Sequence, residues 1–254
     1  VSSDYEDYLY HVNILDCLYL GNKFFLRLFF QVLACKCMIM TLTDLGNNLR
    51  KSIHCKNYVY FFHSIASIRT RYTSNAFGNY DIVLTNGEYQ KKELVEYEDI
   101  LNSPKKKIIN TGYFFLDNLA NKAKFNITNR KNILFAPSWN YNKKNLFDDY
   151  GIDVVDNLIK NNFEVTLRPH PEHYKRSPEV IKKIVSKFTD NNNFYLDKKF
   201  SNQDSMEKSN LLITDNSSID MEYVLVFKKP LIYLDYTPKI HNNEHKVFRS
   251  EDID

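Results

Sequence analysis

A chain of 254 residues that is 43% hydrophobic and 15% aromatic can bury a large core, enough for one big domain or two of ordinary size. Its 34 Lys and Arg against 31 Asp and Glu leave a net charge of +3, too small and too dispersed for nucleic acid to be the main partner, so any phosphate chemistry must be local. With 6 glycines and neither a G-x-G-x-x-G fingerprint nor a Walker loop, the usual dinucleotide and P-loop NTPase readings drop out. The four cysteines, at 17, 35, 37 and 55, form no C-x-x-C, and their apolar surroundings suggest buried thiols in a reducing cytosol rather than a disulfide frame or a zinc site.

Taken in chain order, the sequence opens at Val1 with no initiator Met and no signal-peptide pattern, and it closes on Asp254 within a polar run, as a fragment would. The most apolar stretch, residues 24–42, is broken by Arg27 and Lys36 and falls short of the ~18 to 20 uninterrupted residues of a membrane span. Its first part, NKFFLRLFFQVLA, fits a buried helix, and CMIMTLT after it a buried strand; contact of this basic, aromatic segment with a lipid surface is the alternative. Strands are then expected at 58–62, 81–85 and 107–110, with a helix at 88–97. An Asn- and Lys-rich stretch, 121–131, interrupts the rhythm as a linker would. A second series follows, with strands at 132–136, 163–167, 211–213 and 231–234 and helices at 148–161, 178–188 and from Ser218 onward. Such alternation predicts parallel sheets wrapped by helices, in two units spanning residues 1–123 and 132–254.

Open parallel sheets bind ligands beyond the carboxyl ends of their strands, so the residues after each strand are the ones to inspect. His63 follows YVYFF, Pro137-Ser138-Trp139 follows NILFA, Arg168-Pro169-His170-Pro171 follows FEVTL, and Asp215 to Ser218 follow NLLI. An Arg fork matches phosphate oxygens, His can donate to phosphate or take a proton near neutral pH, and two prolines stiffen the loop that carries them. Ser217 and Ser218, at a helix start, would offer hydroxyls and unpaired amides to a diphosphate, although Ser217 three residues ahead of Asp220 is also an ordinary capping pattern. Glu222, one turn beyond Ser218, could hold ribose hydroxyls or be a surface carboxylate. Trp139 fits the core better than a base pocket, and no carboxylate cluster asks for a metal, so neither metal nor cofactor is expected.

The ordered blocks FFHS, YDIVLTNGEYQKKEL, NTGYFFLDNL with Gly112 and Asp117, FAPSW, LRPHP, LITDNSSIDMEY and KKPLIYLD, over residues 58–236, resemble the CDP-glycerol glycerophosphotransferase family, the teichoic-acid polymerases and their capsule relatives. That resemblance implies a GT-B architecture, two Rossmann-like domains facing across a cleft, here truncated at one or both ends. It implies transfer of glycerol phosphate, or a similar polyol phosphate, from a CDP-activated donor to a hydroxyl of a cell-surface polymer or a lipid-linked polyol-phosphate or glycan acceptor. Work at the cytoplasmic face of the plasma membrane, as a peripheral protein, is implied with it. The family's functional histidines correspond to His63 and His170, and its diphosphate-binding turn to Ser217 and Ser218, with Arg168, Asp215, Glu222 and Ser138 as further substrate contacts. Departures are the loop His63-Ser64-Ile65-Ala66-Ser67, where most members have His-Gly, and a last segment, YTPKIHNNEHKVF, that stops short. A GT-B sugar-nucleotide enzyme, whether a glycosyltransferase or like the UDP-N-acetylglucosamine 2-epimerases, and a non-catalytic glycan-assembly subunit are the competing readings.

Overall fold

The computed structural model describes residues 19, 23–43, 45–47, 49–124, 131–140, 145–199, 201–215, 217–236, 240 and 242. It holds two fully parallel sheets with helices between successive strands from β2 (Tyr58–Phe61) onward, an α/β protein. In the first sheet β1 (Met38–Met40), β2 (Tyr58–Phe61), β3 (Ile82–Thr85) and β4 (Lys107–Asn110) lie side by side in chain order. Behind β2 an aromatic cluster packs edge to face: the Tyr60 ring centroid is 4.8 Å from that of Phe77 and 5.0 Å from that of Phe62. These rings are buried and make the floor under the residue that follows them, His63.

The second sheet contains β5 (Asn132–Phe135), β6 (Glu164–Leu167), β7 (Phe194–Leu196), β8 (Leu211–Thr214) and β9 (Leu231–Tyr233) in the spatial order β7-β6-β5-β8-β9. The chain winds outward from β5 through β6 to β7, then returns to the far side of β5 to lay down β8 and β9. The connections leaving β5 and β8 therefore diverge to opposite sides of the sheet, although the strands themselves pair, with Ile133 opposite Leu211 and Phe135 opposite Ile213. Alternate residues of these strands face opposite layers. Ile133, Phe135, Leu167 and Ile213 pack with Phe147, Val155 and Ile184, while Leu134 and Leu212 pack with Met206, Tyr223 and Phe227. With both faces covered, β5 and β8 read as unbroken apolar runs rather than alternating ones. Each such fully buried side chain contributes about 1.5 to 3 kcal/mol.

The described residues divide into two compact units, one running to Gly112 and taking back Asn242, the other Tyr113–Ile240. Gly112 closes the first unit at φ 74°, a left-handed conformation that glycine adopts without strain. The helix Phe114–Lys122 belongs with the second unit, although the expected boundary placed it with the first. The reason is packing: Leu119 is buried, with Leu116 and Ala123 half-buried, in the Leu134–Leu212–Tyr223 layer. Most of the expected linker, 125–130, and most of the last segment lie outside the described residues.

Two expectations need correction. The apolar helix, Lys23–Val32, is not buried: Phe24, Phe25, Leu28 and Val32 are exposed, while Leu26, Phe29 and Phe30 on its other side pack into the core of the first unit. The cysteines are not uniformly buried either, since Cys37 is exposed and Cys35 half-buried; Cys55 is buried with its Sγ 3.3 Å from that of Cys35, and Cys17 lies outside the described residues. Among the described residues no helix is long and apolar enough to cross a membrane.

Candidate functional site

The divergence between β5 and β8 opens the crevice in which doubly wound sheets bind ligands, and the first residues past those two strands meet there. The Ser138 backbone N–H donates to Asp215 Oδ1 at 2.6 Å and its hydroxyl to Oδ2 at 3.0 Å. One serine thus satisfies both oxygens of one carboxylate, and the two loops are clamped. Thr214 reinforces the junction by donating its hydroxyl to the Ala136 carbonyl at 2.7 Å. Ser138 is buried, so it and Asp215 shape the floor of the crevice through each other.

At the end of β6, Arg168 is held by the neighbouring strand. Its guanidinium donates to Asp197 Oδ2 at 2.6 Å and to the Ser201 carbonyl at 3.3 Å. Burial pushes the Asp197 carboxyl up, but bonds from the Ser205 hydroxyl, the Lys199 amide and Arg168 outweigh it and hold it below the usual carboxylate range. The arginine fork is therefore oriented before any ligand arrives. His170 caps the short helix Pro171–Arg176: its Nδ1 accepts the Glu172 N–H at 3.2 Å, which places the proton of the neutral ring on Nε2, the atom that can donate to a phosphate oxygen.

Beyond β8 the helix Ile219–Phe227 begins at Ser218, which is exposed and makes no side-chain cap bond. The N-cap is therefore Ser218 and not the Ser217 of the capping pattern read from the sequence. Asp220 instead bonds the Met221 N–H and the Tyr233 hydroxyl. Glu222 is half-buried and accepts the Asn202 side-chain N–H at 2.9 Å; burial raises its pKa, with Asp220 adding to the rise while the Asn202 bond and the charge of Arg168 oppose it. Arg168 and Glu222 are thereby brought into one electrostatic neighbourhood through the loop that carries Asp197, Ser201 and Asn202. Those loop residues were not singled out from the sequence, since their only signal is short polar side chains after a weak strand.

His63 lies in the first unit, in the loop after β2, where it is exposed at its surface. The protein packed around it still lowers its pKa below the ordinary imidazole value. One face of the helix Glu88–Ile100 ties this loop down. Asn86 Nδ2 donates to the Ser64 carbonyl at 2.8 Å, Gln90 Nε2 to the Ala66 carbonyl at 2.9 Å, and Glu93 accepts the Ser67 hydroxyl at 2.8 Å and the Ile68 N–H at 2.5 Å. Gln90 and Glu93 are buried, and their three-residue spacing on a helix was the available signal. Among the described residues no group of three or more His, Cys, Asp or Glu side chains is placed to hold a metal ion.

Residues 62–248, a span that begins beside His63 and takes in Arg168, His170 and the β8 turn, match the family described as CDP-glycerol:poly(glycerophosphate) glycerophosphotransferase. The chain belongs to that family. The minor teichoic acid biosynthesis protein GgaB of Bacillus subtilis (strain 168) is 25% identical over 187 residues, 64% of this chain and 19% of GgaB. A structure of the UDP-GlcNAc 2-epimerase from Neisseria meningitidis shares the fold at TM-score 0.51 and 18% identity, over 72% of this chain and 53% of that one. The wall teichoic acid polymerase TagF aligns at TM-score 0.46 and 19% identity, over 78% of this chain and 53% of TagF. The fold shared with the epimerase is that of GT-B enzymes, and the chain spans a fifth of the length of GgaB and about half of the structural relatives.

Proposed function

We propose that this chain takes part in moving glycerol phosphate, or a similar polyol phosphate, from a CDP-activated donor to a hydroxyl of a cell-surface polymer or lipid-linked acceptor. The observation that carries this reading is the meeting of the Ser138–Asp215 clamp, the oriented Arg168 and the β8 turn at the divergence point of the second sheet, in a member of the glycerophosphotransferase family. The diphosphate would lie over the start of the helix Ile219–Phe227, where the amides and the hydroxyls of Ser217 and Ser218 add to the positive end of the helix dipole. Arg168 and the Nε2–H of His170 would bond its oxygens, and Glu222 the ribose.

Chemistry follows as an in-line displacement at the phosphorus that bears the glycerol. The acceptor oxygen forms its bond to phosphorus while His63 takes the hydroxyl proton, and the bond from phosphorus to the bridging oxygen breaks so that CMP leaves with that oxygen and its charge. General-base help of this kind is worth ~10²- to 10⁴-fold, and charge stabilisation on the phosphates supplies most of the rest. A lipid-linked acceptor would bring the protein to a membrane surface, where the exposed Phe24, Phe25, Leu28 and Val32 could rest reversibly.

Titration calorimetry with CMP, CDP, CDP-glycerol and UDP-N-acetylglucosamine tests the reading. CDP and CDP-glycerol should bind tighter than CMP, with affinities unchanged by chelator. Tighter binding of the UDP-sugar would move the chain to the sugar-nucleotide enzymes, and no nucleotide binding would favour an assembly subunit.

A further inference from the structure

Three residues past His170, a second histidine is fully buried beneath the crevice. His173 has no exposed surface, and its ring packs edge-on to Trp139, with centroids 4.7 Å apart, and against Phe147 at 4.6 Å. Its Nε2 stands 3.2 Å from the Ser138 carbonyl oxygen. A carbonyl can only accept, so the ring must carry its proton on Nε2. The other nitrogen, Nδ1, finds no hydrogen-bond partner among the described residues and faces the Asp148 carboxylate at 3.6 Å. Desolvation depresses the ring's pKa to about 4, so this tautomer persists through the neutral range.

Ser138 therefore sits in the middle of a chain of bonds. Its carbonyl accepts from His173, on the short helix Pro171–Arg176 that follows β6, and its amide and hydroxyl donate to Asp215, on the loop after β8. Three strand ends are joined through one residue. We propose that His173 is a positioning residue of the donor site, fixing the β5 loop against Asp215 and so setting the spacing between the RPHP loop and the diphosphate turn. This deepens the donor reading and rests on it. An apolar side chain would fill the same space, and a structural histidine could be replaced by one; a positioning histidine cannot, because the Ser138 carbonyl would lose its donor and the loop its register.

The test compares three substitutions in the intact chain. His173→Gln keeps an N–H near the Nε2 position, His173→Asn is polar but too short to reach, and His173→Leu keeps volume without a donor. Each is assayed for CDP affinity, for donor and acceptor KM, and for hydrogen exchange at the Ser138 amide. The Asn and Leu variants should weaken CDP by about tenfold, the loss of one hydrogen bond. They should raise donor KM but not acceptor KM, and speed Ser138 exchange, while the Gln variant stays near wild type. Should the Leu variant fail to fold, the Gln and Asn pair decides. Equal affinity and equal exchange in Gln and Asn overturn the proposal. If the wild-type chain binds no cytidine nucleotide, the donor reading itself fails. Accelerated exchange in the variants then leaves a clamp with no donor to position, and unchanged exchange removes the clamp too.

Discussion

A general base works only in the fraction of molecules where it is unprotonated, and for His63 the surrounding protein shifts that balance toward the free ring. The acid limb of kcat/KM should accordingly inflect below the ordinary imidazole value of about 6.5, and an inflection above it would remove His63 from that role. Replacing His63 or His170 by Ala should lower turnover by at least ~10²-fold; neither ring belongs to the core clusters, so the melting temperature should hardly change for His63→Ala and should fall for His170→Ala only by the loss of one helix cap, about 1 kcal/mol. His173 behaves differently. Its folded-state pKa of about 4 lies below the unfolded value, so the unfolded chain binds the extra proton first as pH falls. The stability it confers is complete above about pH 6.5 and is lost between there and pH 4, by on the order of 3 kcal/mol. Urea midpoints of wild type and His173→Gln, similar at neutral pH, should separate as pH falls through that window, the wild type dropping below the variant; parallel curves would mean that another group carries the acid sensitivity. Asp148, which faces the ring and has its own pKa raised by burial, is the group to examine then.

At the scale of the strand ends, orientation and ligand contact are divided between partners. Arg168 is already paired, with Asp197 almost completely buried beneath it. Arg168→Ala should both narrow the difference between CDP and CMP affinity and cost about 1 to 3 kcal/mol of stability, because the buried Asp197 carboxylate loses its charged partner and keeps only the Ser205 and Lys199 bonds. Ser218→Ala should narrow the same difference with little effect on stability, as the hydroxyl makes no cap bond. The two variants separate a residue that is both scaffold and contact from one that is contact alone. If Ser218→Ala instead melts the protein by a full cap's worth, about 1 kcal/mol, the diphosphate role of that hydroxyl loses its support.

For the whole molecule, the exposed apolar side of the helix Lys23–Val32 and the overall charge of +3 set the expected behaviour at a membrane. Binding to anionic vesicles should be reversible, weaken in high salt and fall further when Phe24 and Phe25 are replaced by Ser. Flotation that resists salt and yields only to detergent would require a different anchor.

Patterning alone carried much of this protein. The apolar runs that became β2, β3, β4, β5, β6, β8 and β9, and the helices Glu88–Ile100 and Pro178–Phe188, are each long or punctuated enough to be read locally, and so are the polar residues that follow them. The short elements were not legible. The helices Ile68–Arg71, Pro171–Arg176 and Gln203–Lys208 and the strand Phe194–Leu196 are too brief to show a period, and they exist because neighbours hold their ends. The exposure of Phe24 and Phe25 was also hidden, since an apolar helix looks the same whether one side or every side of it is covered. Ser138, Asp215 and Arg168 could be picked as site residues from their positions after strands. That Ser138 closes on Asp215, that Arg168 leans on Asp197 and that His173 stands under Ser138 could not, because these pairs are 77, 29 and 35 residues apart: the pairing of β6 with β5 and β7 brings the last two together, and the crossing from β7 back to β8 brings the first. Local sequence sets which side chains end a strand; the order of strands in the sheet decides which of those ends meet.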